Sequence, residues 1–245
     1  MSTEFVLIES KRKSKDFPLR TAVLLPPLSF LNPKSVYYEK GQNKEVTHSN
    51  LPHWSKEATL LFVTFRLLDS LPPDVEKNII EEYDAWKKTQ PAKLSEEELQ
   101  ILYRFAWHRN LNRSLDEKPY GSCLLAQPPI RSIVEEEIRR YDGKHYDLSA
   151  FVIMPNHVHV LLQPLAGYTL SSIMSSIKRI SSYRIHKLLS TAGNHLWRKE
   201  SFDCLVRSAQ QHRRIREYIH DNPRYLSPDT YTVWLKDEPE LYEGL

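Results

Sequence analysis

Residues 145–164 read HYDLSAFVIMPNHVHVLLQP, and the rest of the chain arranges itself around this stretch. Two apolar, β-branched runs flank Pro155-Asn156, a pattern that predicts two strands joined by a tight turn, an antiparallel hairpin. Side chains alternate along a strand, so His157 and His159 project from one face, roughly 6 to 7 Å apart at the backbone. Val158, Val160 and Leu162 project from the other face and are free to pack on covering helices. The two imidazoles then stand on the open face beside Leu161 and Gln163, within reach of a single cation.

Working outward, ATLLFVTFRLL from Ala58 to Leu68 is apolar, β-branched and aromatic, a buried strand stopped by Pro72-Pro73. The charged, helix-forming stretch that follows reads as a helical insertion over about residues 74–120. A helix is expected from Pro129 to Tyr141, where Ile130, Ile133, Val134 and Ile138 recur at helical spacing and Asp142-Gly143 ends it. After the hairpin, Leu170, Ile173, Met174, Ile177 and Ile180 mark an amphipathic helix with Thr169 as N-cap and Gly193 just past its end. A short strand over Ser201–Arg207 and a helix from Gln210 to Asn222, stopped by Pro223, complete the pattern. This order predicts an α+β fold, a ferredoxin-like or RRM-like antiparallel sheet with helices on one face, and the C-terminal helix docked on the histidine face. Residues 1–50, with scattered prolines and a basic run at Lys11 to Lys15, read as an N-terminal arm; residues 51–225 form the domain, and 226–245 an acidic tail.

Hydrophobic residues make up 40% and charged ones 27% of the 245 residues, an ordinary balance for a folded globular chain. Cys123 and Cys204 match no metal-ligand spacing and predict no structural disulfide. With no secretory signal pattern and no membrane-length apolar run, the expected place is the cytoplasm, on the nucleoid when DNA is bound, with no membrane partner. The net charge of +3 is unevenly distributed: between Ser171 and Arg216 ten basic residues face two acidic ones. Lys178, Arg179, Arg184, Lys187, Arg207, Arg213 and Arg214, interleaved with aromatic residues that include Trp197 as a stacking candidate, read as a polyanion-binding surface. The alternative is a solvated helix face.

The histidine pair needs a third ligand, and REYIHDNP in the last helix offers one. Tyr218 and Asn222 are four residues apart and share one helix face, so docking that face delivers a phenol and an amide oxygen together. An amide oxygen with two imidazoles suits Mg²⁺ or Mn²⁺ better than a closed zinc site. Asp221 is a reserve ligand, and His212 and His220 are candidate bases for the phenol, although His220 points away from Tyr218 on an ideal helix.

FVIMPNHVHVLLQP, the SIKR helix, GNHLWRKESFDCLVR and YIHDNP, in that order, resemble the single-tyrosine HUH transposases, especially the REP-associated branch. LPHWSKEATLLFVTFRLLDSLP and YGSCLLAQPPI extend the resemblance over roughly residues 50 to 225. It implies a metal pair at His157 and His159, a nucleophile at Tyr218, a third ligand at Asn222, and single-stranded DNA with hairpin-forming, repetitive-palindrome-like sequences as partner. The expected activity is metal-dependent cleavage and rejoining of that DNA through a 5′-phosphotyrosine, by a monomer or homodimer. SSYRIHKLL departs from the family where relatives commonly carry an asparagine. A histidine-triad hydrolase is excluded because Leu161 stands where a third alternating histidine is required. The competing class is an inactive single-stranded nucleic-acid-binding module on the same fold.

Overall fold

In a computed structural model, residues 45–48, 52–55, 59–88, 111–116, 118–191 and 195–237 are described. The elements are β1 (Glu45–His48), β2 (Pro52–Ser55), β3 (Leu61–Arg66), α1 (Pro73–Lys88), then α2, described over 111–116. They continue as α3 (Pro128–Arg139), β4 (Tyr146–Ile153), β5 (His157–Pro164), α4 (Leu170–Leu189), β6 (Phe202–Leu205), α5 (Ala209–Asp221) and β7 (Thr232–Leu235). Of the expected arm, only β1 lies among these residues; it pairs antiparallel with β2.

The main sheet runs β6-β3-β5-β4-β7, antiparallel throughout. Without β7, the two central strands β3 and β5 are flanked by β6 and β4, which is the strand order of a ferredoxin-like layer. The expected hairpin is β4–β5, closed by Met154 N–H donating to the His157 carbonyl. One sheet face carries Val63, Phe65, Phe151, Ile153, Val158, Val160 and Leu162 and is covered by Ile130, Val134 and Ile138 of α3 and Ile173, Ile177 and Ile185 of α4. Alternation turns Phe62, Ala150, Val152 and Leu161 to the opposite face, which Ile215 and Ile219 of α5 cover. The C-terminal helix therefore docks on the histidine face, as expected.

Local chemistry sets the helix ends. Thr169 and Ser172 cap α4 reciprocally, and Ser208 caps α5 through the Gln211 N–H. The end of α4 corrects one expectation: Ser190 turns left-handed, with φ 53°, and stops the helix before Gly193. The tail is a second correction. Residues 226–235 continue the fold, because the β-branched and aromatic run Thr232–Leu235 adds β7 to the edge of β4. Trp234 stacks on Phe151 at 5.6 Å and lies under the Arg139 guanidinium at 4.6 Å. Arg131 binds Thr232 Oγ1 at 3.0 Å and the Asp229 carbonyl at 2.7 Å, tying this segment to α3.

The insertion returns to the sheet at defined points. Glu76 of α1 accepts from Arg66 of β3 at 2.8 Å and from Arg198 at 2.6 Å. Leu111 and Leu115 of α2 pack with Leu71, Ile79 and Phe202. Gly121, with φ +81°, sits so close to the Asp69 carbonyl that a Cβ would collide with it, and Asp69 Oδ2 accepts the neighbouring Ser122 N–H at 2.7 Å. The core of the expected insertion, residues 89–110, lies outside the described residues. No helix among the described residues is long and apolar enough to cross a membrane.

Candidate active site

His157 and His159 are fully buried on one face of β5, opposite Arg66 and Thr64 of β3. Their Nε2 atoms lie 3.1 Å apart. Each ring is held from behind. His157 Nδ1 meets Asn156 Oδ1 at 2.8 Å, while the amide nitrogen of Asn156 donates to the carbonyls of Tyr120 at 3.0 Å and Ser70 at 3.4 Å. Those two carbonyls fix which way the amide points, so its oxygen accepts a proton on His157 Nδ1 while Nε2 faces the site. His159 Nδ1 meets Thr64 Oγ1 at 2.8 Å, and Phe62 stacks on the same ring at 5.4 Å. Burial pushes His159 down to about 4, against the opposing pull of Asp116, so its imidazole is neutral near pH 7.

The third group is Asp116 of α2. Its side chain is 3% exposed, and Oδ1 lies 3.2 Å from His157 Nε2 and 3.8 Å from His159 Nε2. Burial by itself would raise this carboxyl, but hydrogen bonds from His157 and His159 outweigh it and hold the group well below the usual carboxylate range. The candidate ligand atoms of the three residues all lie within 4.8 Å of one another.

Tyr218, half-buried on α5, reaches the same point. Its hydroxyl donates to Asp116 Oδ2 at 2.8 Å and lies 3.3 Å from His159 Nε2, with Phe62 edge-on to the ring at 6.0 Å. Asn222 follows one turn later at the helix end, 5% exposed, and neither atom of its amide has a hydrogen-bond partner. A buried amide without partners is costly, which fits a group that binds a ligand. The residues thus fit a hard divalent cation: two buried imidazoles, an ionised carboxylate and an unpartnered amide oxygen.

The other sequence candidates separate clearly. Asp221, the reserve ligand, is exposed and meets His220 Nδ1 at 2.8 Å. His212 faces Ser149 Oγ at 3.0 Å. Among the basic residues, Lys178 donates to the carbonyls of Arg198 and Lys199, both at 3.0 Å, and Arg184 is clamped by Glu136 and Glu137, both at 2.6 Å. Trp197 is buried, edge-on to Phe65 at 4.9 Å, its indole N–H donating to Ser181 Oγ at 3.0 Å. In all three a long or amphipathic side chain satisfies its polar end inside the protein. Arg179, Lys187 and Arg213 are exposed, and Arg207 and Arg214 half-buried. Arg179 and Lys187 flank Tyr183, 68% exposed, at four-residue spacing along α4.

Sequence reading missed Asp116, Thr64 and the bracing role of Asn156. Thr64 carried a signal, as the polar residue between Val63 and Phe65 in an apolar strand. Asp116 carried none, since no spacing links it to the histidines.

Residues 126–222 match the family model described as "Transposase IS200 like". That segment holds β4, β5, α4, β6 and α5, and with them His157, His159, Tyr218 and Asn222; Asp116 and Thr64 lie upstream of it. The resemblance read in the sequence is supported over this segment, which is similar to the IS200-like transposases. Among solved structures, a REP-associated tyrosine transposase bound to a REP hairpin is similar at 13% identity and a TM-score of 0.40, covering 81% of this chain and 98% of that one. No curated protein matches the chain.

Proposed function

We propose that this protein is a metal-dependent single-stranded DNA endonuclease and strand transferase that cleaves beside hairpin DNA through a 5′-phosphotyrosine at Tyr218. The observation that carries the reading is the Tyr218 hydroxyl, 3.3 Å from His159 Nε2 on a pair of buried, rear-braced imidazoles. All three residues lie within the segment matched by the transposase family.

His157 and His159, with Asn222, would hold Mg²⁺ or Mn²⁺. A divalent cation bound there supplies positive charge to offset the charge that develops on a scissile phosphate. The Tyr218 ring packs edge-on to Phe62 and tilted against His159, and the hydroxyl proton points at Asp116 Oδ2. Attack of the Tyr218 oxygen on phosphorus forms the tyrosyl ester as the ribose 3′ oxygen leaves. The ester conserves the energy of the broken phosphodiester, so a free 3′-OH can reverse the step and rejoin strands without ATP.

The DNA contacts that fit the structure are Arg179, Tyr183 and Lys187 along α4, joined by Arg207, Arg213 and Arg214. The deciding experiment incubates the protein with Mg²⁺ or Mn²⁺ and single-stranded hairpin DNA from beside its own gene. A covalent adduct resisting denaturation is expected; its absence, with binding retained, would favour the inactive binding module.

A further inference from the structure

The proposed nuclease leaves one buried carboxylate unexplained. Asp116 comes from α2, upstream of the segment that the transposase family matches, yet it stands at the centre of the site. Its delivery does not depend on the histidines: Leu111 and Leu115 seat α2 against Leu71, Ile79 and Phe202, and Gly121 and Ser122 fasten the following turn to Asp69.

Resting on the reading of His157 and His159 as a metal pair, we propose that Asp116 is a further ligand of the same divalent cation and that its second oxygen holds the nucleophile. The inserted helix thereby joins metal and tyrosine through one carboxylate. The separations support this. His157 Nε2 to His159 Nε2 is 3.1 Å, His157 Nε2 to Asp116 Oδ1 is 3.2 Å, and His159 Nε2 to Asp116 Oδ1 is 3.8 Å. Neighbouring ligands at about 2.1 Å around one octahedral ion stand about 3 Å apart. Oδ1 faces the imidazoles while Oδ2 accepts the Tyr218 hydroxyl at 2.8 Å, so the two oxygens already divide the two tasks. A carboxylate also shifts the donor set toward hard cations and supplies negative charge that imidazoles and an amide cannot.

The test measures metal binding and the phenol rather than cleavage. Mn²⁺ is titrated by calorimetry into wild type, Asp116→Ala, Asp116→Asn and His157→Ala, each first checked for a cooperative melt. Asp116→Ala should weaken Mn²⁺ by roughly tenfold or more, since even a lost outer-shell group costs on the order of 10- to 100-fold. Asp116→Asn keeps the shape and should also weaken it, which covers the case in which the alanine variant does not fold. In parallel, Mg²⁺ should shift the ζ-carbon resonance of labelled Tyr218 in wild type, and Asp116→Ala should abolish that shift. If His157→Ala loses Mn²⁺ while both Asp116 variants bind as wild type, the carboxylate is no ligand and the inference falls, leaving the nuclease reading in place. If His157→Ala also binds as wild type, the metal pair itself is wrong and both readings fall. A Tyr218 shift that persists in Asp116→Ala would overturn the link to the nucleophile.

Discussion

The hydroxyl of Tyr218 donates a 2.8 Å hydrogen bond to Asp116, which precedes it by 102 residues and lies on a different helix. Tyr218→Phe removes that oxygen but keeps the ring that meets Phe62 and His159. The fold should survive, with one charge-assisted hydrogen bond lost, worth about 1.5 to 3 kcal/mol. Adduct formation with single-stranded DNA should disappear. Mass spectrometry of the wild-type adduct should find the 5′ phosphate on Tyr218; an adduct persisting in Tyr218→Phe on another tyrosine would reassign the nucleophile. Exposed Tyr183 is the nearest competitor in the basic region, but it has no histidine pair beside it.

Asn156 gives a test of the bracing behind the metal pair. Its amide spans from His157 Nδ1 to the carbonyls of Tyr120 and Ser70, so it fixes one ring and ties down the end of the insertion. Asn156→Ala frees the His157 tautomer and leaves buried groups unpaired. Affinity for Mn²⁺ should drop on the order of 10- to 100-fold, as for other outer-shell partners. Thr64→Val removes the corresponding support from His159 and should act in the same direction. Unchanged affinity in both would mean that packing alone orients the rings.

What was legible in the sequence followed from local rules. The hairpin, the covering helices and the shared face of His157 and His159 all come from side-chain period, and Tyr218 with Asn222 from helical spacing. β7 was missed because four strand-forming residues, Thr232–Leu235, sit inside an otherwise polar and acidic terminus. Asp116 was missed for a different reason: its meeting with His157 depends on tertiary placement of an inserted helix, which leaves no periodic trace. For Lys178, Arg184 and Trp197, composition records a charge or a ring but not the internal partners, Arg198, Glu137 and Ser181, that the fold gives them.

The surface left for DNA can be separated from these internal groups by salt. Arg179→Ala with Lys187→Ala removes two exposed charges on either side of Tyr183. The salt dependence of binding should flatten by about 1.4 in log–log slope, at roughly 0.7 per phosphate contact on a single strand. Trp197→Ala should instead cost stability, about 3–5 kcal/mol for a buried Trp, and lower binding only in proportion to unfolding. Filter binding at several salt concentrations, beside urea melts, distinguishes the two. An unchanged slope in the double variant would return α4 to a solvated face.

Lys178 makes a prediction about pH that no DNA is needed to check. Its ammonium is turned inward onto the carbonyls of Arg198 and Lys199, and burial pushes it down to about 8 from the ordinary 10.5, against the attraction of Glu200. Below pH 8 the lysine holds its proton whether the chain is folded or unfolded, so the full cost of burying the charge is present and stability does not vary through this group. Between about 8 and 10.5 the folded protein has released the proton and the unfolded chain has kept it. The unfolded state then binds more protons, so the Lys178 contribution to stability rises with pH across that window and levels off above it. Lys178→Met keeps an unbranched chain of similar length but cannot titrate; it loses both hydrogen bonds, which gives an offset independent of pH. Urea melts of both proteins at pH 7, 8, 9 and 10 should therefore show the wild type gaining on the variant from pH 8 upward, whatever the remaining groups do to both. A difference that stays constant over this range would mean that the ammonium keeps its water and is free to meet phosphate after all.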